Sequence, residues 1–578
     1  MSLTSHPRWG TPIGIYPSFC GLFRSDLSVD SELAGLQAMQ KISQLGSEKQ
    51  LPTHQDPAKR INLSTLHAAL RLALDPTTVT HLEIPGVISG CTQLMKTVVG
   101  KSPGVASPFS YEYGSHCFEL LIVTLNMCLM QRWGKINEAR KLGDMRPEAA
   151  AYLWASVGLS FSVIDQFSIL NKGGDCDWVL GWSTSAPHRR QTSLLSRSEI
   201  SALLDMLWQD RKHFSTAMTR CNPAAFGLSG LLFIFSRYIS HARDFEQSTG
   251  SEVLRARLFE LAHRYMLSAD KYQREATQCV IQANAYDDLW IKTPKHIDVE
   301  DSRSLMSLFI NLFSSKNPKS IPIRDAFMMF RLVSLATDTG SQDLLPAVLQ
   351  YIIKYGWSIL LSREDKENLE IWVQIFLGPL LWLINPPHNR PYRLTTTTQT
   401  NIMDVICHHD FMDWIASAMI RFDPAKSNAV TSSLADIISF YGGLAKVVPK
   451  SVLARRFRDY NLNIGWKRFH DHLLTVQGGS SRTVAPSAGQ KKHYDKCNET
   501  WVEIGQLLGF ESAVDISTIT ACSSQRCPGT YTTEGPQFGC TSCVNTVYCN
   551  DRCQAVDWKF GGHNVLHWKW CQGDIPRV

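Results

Sequence analysis

The chain carries no large excess of charge. Its 58 Lys and Arg stand against 52 Asp and Glu, a net +6 over 578 residues, which argues against a dedicated nucleic-acid binder. Long apolar runs are also missing. The longest, around 224–235 and 371–384, fall short of the roughly 20 residues a membrane span needs, and the second is interrupted by Gln374 and Gly378-Pro379. The opening MSLTSHPRWGTPIG has no apolar stretch of the secretory kind. The expectation is a soluble protein of a reducing compartment, cytosol or nucleus, with no membrane partner. Catalytic signatures are absent as well: there is no G-x-G-x-x-G ahead of a helix, no phosphate-binding P-loop pattern and no H-E-x-x-H.

What is present is a folded composition, 44% hydrophobic and 19% charged. Helical periodicity dominates it, and alternating apolar and polar residues are rare. Leu254, Leu258, Leu261, Tyr265, Ala269 and Tyr272 step by three and four along one face. Ser196 and Glu199 make a capping-box pattern ahead of Ile200, Leu203, Leu204 and Leu207. Rougher helical patterns occupy 33–45, 63–74, 148–169, 302–314, 323–337, 343–361 and 401–421. No fixed repeat period emerges, so a mostly α-helical body is expected, either solenoid-like or an irregular helical array.

That body is assigned to residues 1–475, with a candidate break near 385–400, where Asn385-Pro-Pro-His-Asn-Arg-Pro391 interrupts the helices. Residues 476–490, rich in Gly, Ser and Ala, read as a linker. An amphipathic helix is expected over 491–512, where Tyr494, Cys497, Trp501, Ile504 and Leu508 share a face. That face packs either on the body or on a partner.

Of the 16 cysteines, nine are scattered singly through the first 521 residues and seven crowd into the last 57. The scattered nine show no paired spacing and read as buried thiols. The crowded seven read as metal ligands. They stand as Cys522-x4-Cys527, Cys540-x2-Cys543, Cys549-x3-Cys553 and, with a histidine, His567-x3-Cys571. Zinc takes four such ligands in a tetrahedron, so eight ligands in four short pairs point to two ions. With every position filled by protein, neither ion keeps an open site for water, which makes both structural. Residues 520–573 are therefore assigned as a zinc finger.

Tyr548-Cys549-Asn-Asp-Arg-Cys553-Gln554-Ala-Val-Asp557-Trp558 resembles the Y-C-x3-C-Q-x2-D-W signature of the MYND zinc finger. The resemblance covers about 50 of 578 residues. It implies a cross-braced pairing, in which Cys522, Cys527, Cys549 and Cys553 hold one zinc and Cys540, Cys543, His567 and Cys571 hold the other. The first pair departs from the commoner x2 spacing. His563 is the alternative to His567, because it lies nearer Asp557-Trp558. The resemblance also implies a docking module for short proline-containing segments of partner proteins. Its groove would be lined by Gln554 and Trp558, with Thr541 as a lesser contact. A core role for Trp558 is the competing reading, and the two are compatible.

MYND fingers also occur in SET-type lysine methyltransferases. This chain has no Asn-His-Ser or Asn-His-Thr segment. No room for a catalytic core follows the finger, and the body reads helical where a SET fold is rich in strands. A zinc-dependent role at nucleic acid is the third reading. From residue 521 on there are five basic and four acidic residues, too little net charge to drive phosphate binding. Cys407-His-His-Asp410 reads as a helix-end cluster because adjacent residues diverge on a helix, and Gly173-Gly-Asp-Cys-Asp177 reads as a turn. The expected function is thus a non-enzymatic protein–protein interaction protein.

Overall fold

The computed structural model describes residues 5–16, 28–47, 60–100, 107–144, 151–182, 191–220, 227–245, 249–284, 297–314, 321–361, 368–386, 393–460, 462–477, 487–510, 522, 524, 527, 538–540, 546–548, 551–560 and 567. Among these the chain is mostly α-helical, and contacts cluster into two units, Met1–Thr293 and Pro294–Val578. The C-terminal cysteine segment belongs to the second unit.

In the first unit the helices are α1 (Val29–Ser47), α2 (Leu63–Arg71), α3 (Pro85–Gly100), α4 (Glu112–Trp133), α5 (Ile136–Asp144) and α6 (Ala151–Asn171). They continue with α7 (Arg197–Gln209), α8 (Arg211–Arg220), α9 (Ser229–Phe245), α10 (Thr249–Met266) and α11 (Lys271–Ala283). Helix α4 is the axis. Every residue from Glu112 to Met130 is buried, and α2, α3, α6 and α9 pack on it. A helix apolar on all sides has no polar face to give it a period, so the run at 112–133 left no amphipathic trace in the sequence. Two of its polar residues are paired in place: the Tyr16 hydroxyl meets His116 Nε2 at 3.0 Å and His116 Nδ1 meets Glu119 Oε2 at 2.7 Å. The capping box at Ser196 and Glu199 forms as expected and starts α7. The periodic face from Leu254 to Tyr272, by contrast, spans two helices. The chain turns after Met266, and Asp270 caps α11 by accepting from the backbone N–H groups of Tyr272 and Gln273.

The second unit contains α12 (Val299–Ser314), α13 (Ile323–Ala336), α14 (Leu345–Leu361), α15 (Leu369–Ile384), α16 (Thr396–His408) and α17 (Phe411–Arg421). After these come α18 (Ser427–Val447), α19 (Lys450–Asp459), α20 (Leu462–Gln477), α21 (Ala488–Leu508), a hairpin of β1 (Phe538–Gly539) and β2 (Val547–Tyr548), and α22 (Asp551–Phe560). Its helices stack in two rows. One row runs α12–α14–α16–α19 and the other α13–α15–α18–α21, while α17 touches both. The two expected architectures are therefore divided between the units: an irregular bundle around α4, and a solenoid-like double row. The break near 385–400 lies within the second unit, and residues 387–392 and 478–486 are outside the described residues. The apolar face of α21 packs on the helices. Cys497, Trp501, Ile504 and Leu508 are buried, and Trp501 and Trp466 each donate an indole N–H to the other's backbone carbonyl, at 2.8 and 2.9 Å.

Among the described residues, three helical stretches are long and apolar enough to cross a membrane by length and composition: Glu112–Trp133, Ala151–Asn171 and Thr339–Leu361. This corrects the expectation drawn from uninterrupted apolar runs alone. In the first, the apolar window is wholly buried inside its unit, and in the other two it is half buried. The described scattered cysteines are all free thiols, buried except for half-buried Cys279. Burial pushes the thiols of Cys128, Cys407 and Cys497 up to about 12, which keeps them protonated and inert.

Candidate metal centre

Helix α22 positions the chemistry of the C-terminal segment. Asp551 in its first turn and Lys559 in its last complement the helix dipole. At 100° per residue, Cys553 and Asp557 fall on one face, and both are buried. Cys553 meets Cys522 and Cys527, the ligand atoms of the three lying within 4.8 Å of one another. A tight turn, in which the Cys527 N–H donates to the Ser524 carbonyl at 3.0 Å, presents Cys527. Sulfurs around a tetrahedral zinc sit about 3.8 Å apart, given Zn–S near 2.3 Å. The three thiols are in no disulfide and are suitably spaced, so this triad could hold a metal ion.

A second pair lies beside it. Cys540 follows β1, and its N–H donates to the Thr546 carbonyl across the hairpin at 3.0 Å. Its Sγ lies 3.3 Å from His567 Nε2, close to the roughly 3.5 Å expected between sulfur and nitrogen on one zinc. The other ring nitrogen of His567 is held from behind. Nδ1 lies 3.2 Å from Asp557 Oδ2 and 3.1 Å from the Tyr548 oxygen, while the Tyr548 hydroxyl donates to the same Asp557 oxygen at 2.7 Å. A proton on Nδ1 would serve Asp557 and leave the Nε2 lone pair facing Cys540. Metal-bound histidines are commonly oriented by a carboxylate in this way. Burial, and then the Asp557 carboxylate, push the Tyr548 phenol well above its ordinary pKa, so it remains a donor.

Of the expected site residues, Cys522, Cys527 and Cys553 come together, and so do Cys540 and His567. Cys543, Cys549, Cys571, Thr541 and the alternative ligand His563 lie outside the described residues. Gln554 and Trp558 share the face of α22 turned away from Cys553. Gln554 is half-buried and Trp558 is 37% exposed, with its ring 5.5 Å from that of His567. Trp558 thus touches His567 and also keeps an open face. The supporting roles of Tyr548 and Asp557 were missed in the sequence, although both stand in the quoted motif. Their contact depends on a hairpin and a helix meeting, which spacing does not reveal.

No protein-family model matches this chain. No curated protein and no solved structure matches it either. The metal centre must be judged on its own donors.

The tempting run Cys407-His-His-Asp410 does not form a metal site. Cys407 is buried in α16, His408 Nδ1 bonds the Asp404 carbonyl at 2.8 Å, and the His409 carbonyl accepts from Trp357 at 2.8 Å. Asp410 starts α17 with φ 52°, the one described non-glycine residue in the left-handed region. The Gly173–Asp177 segment is a turn, as expected, and Asp177 ends it in a bidentate pair with Arg237 at 2.7 and 2.8 Å. The first unit contains a cavity of about 640 Å³ beside Lys96, Asp205, Asp210 and His213. Around it Asp210 pairs with Ser107 and His213, and Asp205 with Arg257.

Proposed function

We propose that the C-terminal segment is a two-zinc finger of the MYND type that docks short peptide segments of partner proteins, and that the chain acts as a non-enzymatic interaction protein. The observation that carries this reading is the donor set. Three thiols converge at one point and a fourth meets a carboxylate-oriented imidazole at a second, in the order of the cross-braced pairing. Cys549 would complete the first site, and Cys543 and Cys571 the second. Zinc would supply the folding energy of a segment too small to bury its own core, on the order of 10–16 kcal/mol for structural sites. The soluble reading is supported by the burial of α4.

Trp558 and Gln554 offer an aromatic face beside an amide, a combination suited to a proline ring and a backbone group. Exposed aromatic anchors of this kind dominate binding at small interfaces, and truncating one costs about 2 kcal/mol or more. The test is binding of the full chain to a library of proline-containing peptides by fluorescence anisotropy, with zinc content measured in parallel. Trp558→Ala is expected to abolish binding while two zinc ions remain. If zinc is lost with the tryptophan, Trp558 is a core residue and the docking assignment falls. The methyltransferase alternative predicts S-adenosylmethionine binding at micromolar affinity in calorimetry, and none is expected.

A further inference from the structure

Helix α22 has a third face, and it points into the helical rows. Arg552, Val556 and Phe560 recur every four residues and so lie along one side of the helix. Arg552 Nη2 sits 2.9 Å from Asp410 Oδ1 and 3.0 Å from Asp413 Oδ2, with the arginine side chain only 18% exposed and both carboxylates buried. Farther along, the Phe560 ring lies 5.7 Å from that of His409. The opposite wall of the notch is Gly465 of α20, where an added Cβ would come within 2.7 Å of Arg552 Nη1. Four elements therefore converge on one guanidinium: the left-handed start of α17, its first turn, a glycine of α20, and the finger helix. Burial alone would lower the arginine's pKa, but Asp413 and Asp410 outweigh it and raise it well above the ordinary value.

Asp410 and Asp413 are two like charges in a buried notch, and Arg552 is a counter-charge they share; taking away one partner of a buried ion pair is strongly unfavourable. Arg552 is the neighbour of Cys553, which belongs to the thiol triad. The placement of the arginine therefore depends on what fixes α22, and among the described residues that is the cysteine cluster with the Asp557–His567 contact.

We propose that Arg552 is a positioning residue that latches the zinc-bearing segment onto α17 and α20, so that metal occupancy is transmitted to the helical rows and the Gln554–Trp558 face is held outward on a fixed mount. This rests on the zinc reading above. The finger is then the closing element of the second unit. Loss of zinc releases α22, withdraws Arg552 and exposes an acidic notch. Both carboxylates are served by a single nitrogen of the guanidinium, so a lysine of sufficient reach could serve them in part.

Hydrogen exchange of the full chain, read by mass spectrometry on peptides from α17 and α20, tests the latch alongside elemental analysis for zinc. Chelating the zinc is expected to speed exchange in both helices by at least about tenfold, because a buried ion pair is broken. Arg552→Met is expected to give the same acceleration with zinc still bound, since Arg552 is not a ligand. Arg552→Lys should restore part of the protection, and Lys559→Met on an open face should change nothing. If Arg552→Met does not fold, the chelated wild type makes the same comparison. Bound zinc with unaltered exchange on chelation, or on Arg552→Met, overturns the latch and leaves the metal reading standing. A chain that binds no zinc overturns both.

Discussion

Replacing Asp557 by Asn tests whether the second metal site is built as its geometry suggests. Asp557 Oδ2 receives the Tyr548 hydroxyl at 2.7 Å and lies 3.2 Å from His567 Nδ1. Asparagine keeps the shape and can still present an oxygen at that position, so the fold should persist. What disappears is the negative charge that makes the imidazole a better donor and fixes its ring. Removing such a supporting carboxylate typically costs 10–100-fold in metal affinity, or about 1.4–2.7 kcal/mol. The full chain, loaded with zinc and titrated with a coloured chelator, should release its two ions in separable steps. In Asp557→Asn, the ion held by Cys540 and His567 should leave 10–100-fold more readily. The ion held by Cys522, Cys527 and Cys553 should be unaffected. Tyr548→Phe should shift the same step less, because it leaves the carboxylate in place. Unchanged release of both ions would refute the reasoning, since His567 would then be bound without help from Asp557 or not bound at all. Equal weakening of both steps would also refute it, by showing that Asp557 supports the segment generally and not His567.

Elemental analysis should find two zinc ions per chain, with Cys553→Ser losing one or both and Cys407→Ser none, because the Cys407 thiol is buried in α16 and is not a member of the thiol triad. Burial, and after it the charges of His116 and Arg71, lower His67 from 6.5 to about 4. The unfolded chain therefore takes up this proton first, and stability falls as pH drops from 6.5 to 4, then levels. The full shift would be worth about 3 kcal/mol, and partial exposure reduces it to roughly 1–2 kcal/mol. His67→Gln should flatten acid unfolding in that window by this amount, as followed by circular dichroism. Trp501→Ala should destabilise the second unit by about 3–5 kcal/mol in urea unfolding, because a fully buried indole is removed and the Trp466 carbonyl loses its donor.

Helical character was legible wherever a helix has one wet side. The face of α7 behind its capping box, and the stripe of Cys497, Trp501, Ile504 and Leu508 on α21, carry the 3.6-residue period because water and core alternate around them. Helix α4 lacks the period because it meets protein on every side. The pattern over 401–421 failed in a different way. It reads as one helix, but the chain turns at His409 and Asp410, and periodicity cannot register a single left-handed residue when both flanking helices pack on α14. The same holds at Ser268–Asp270, where Leu261, Tyr265 and Ala269 stay buried across the turn.

The candidate metal ligands were legible because chelation imposes short sequence spacings: two cysteines that clasp one ion must be near neighbours. The groups that support them follow no such rule. Asp557 lies ten residues before His567 and Tyr548 nineteen before it, and each acts through side chains brought together by folding. Arg552 is more distant still, pairing with Asp410 across 142 residues. Asp410 had attracted notice only as the last member of Cys407-His-His-Asp410, where its neighbours suggested a metal. Its role follows from its backbone: the left-handed start of α17 places its carboxylate beside that of Asp413, and the two acids share one guanidinium. The residue that supplies it follows the first position of the helix carrying Cys553, so the partner of a cluster dismissed as a ligand site is found next to a real candidate ligand. A sequence reading that ranks residues by motif will miss such a pair, because Arg552 fills only a variable position of its motif, Asp413 belongs to none, and only the buried charge connects them.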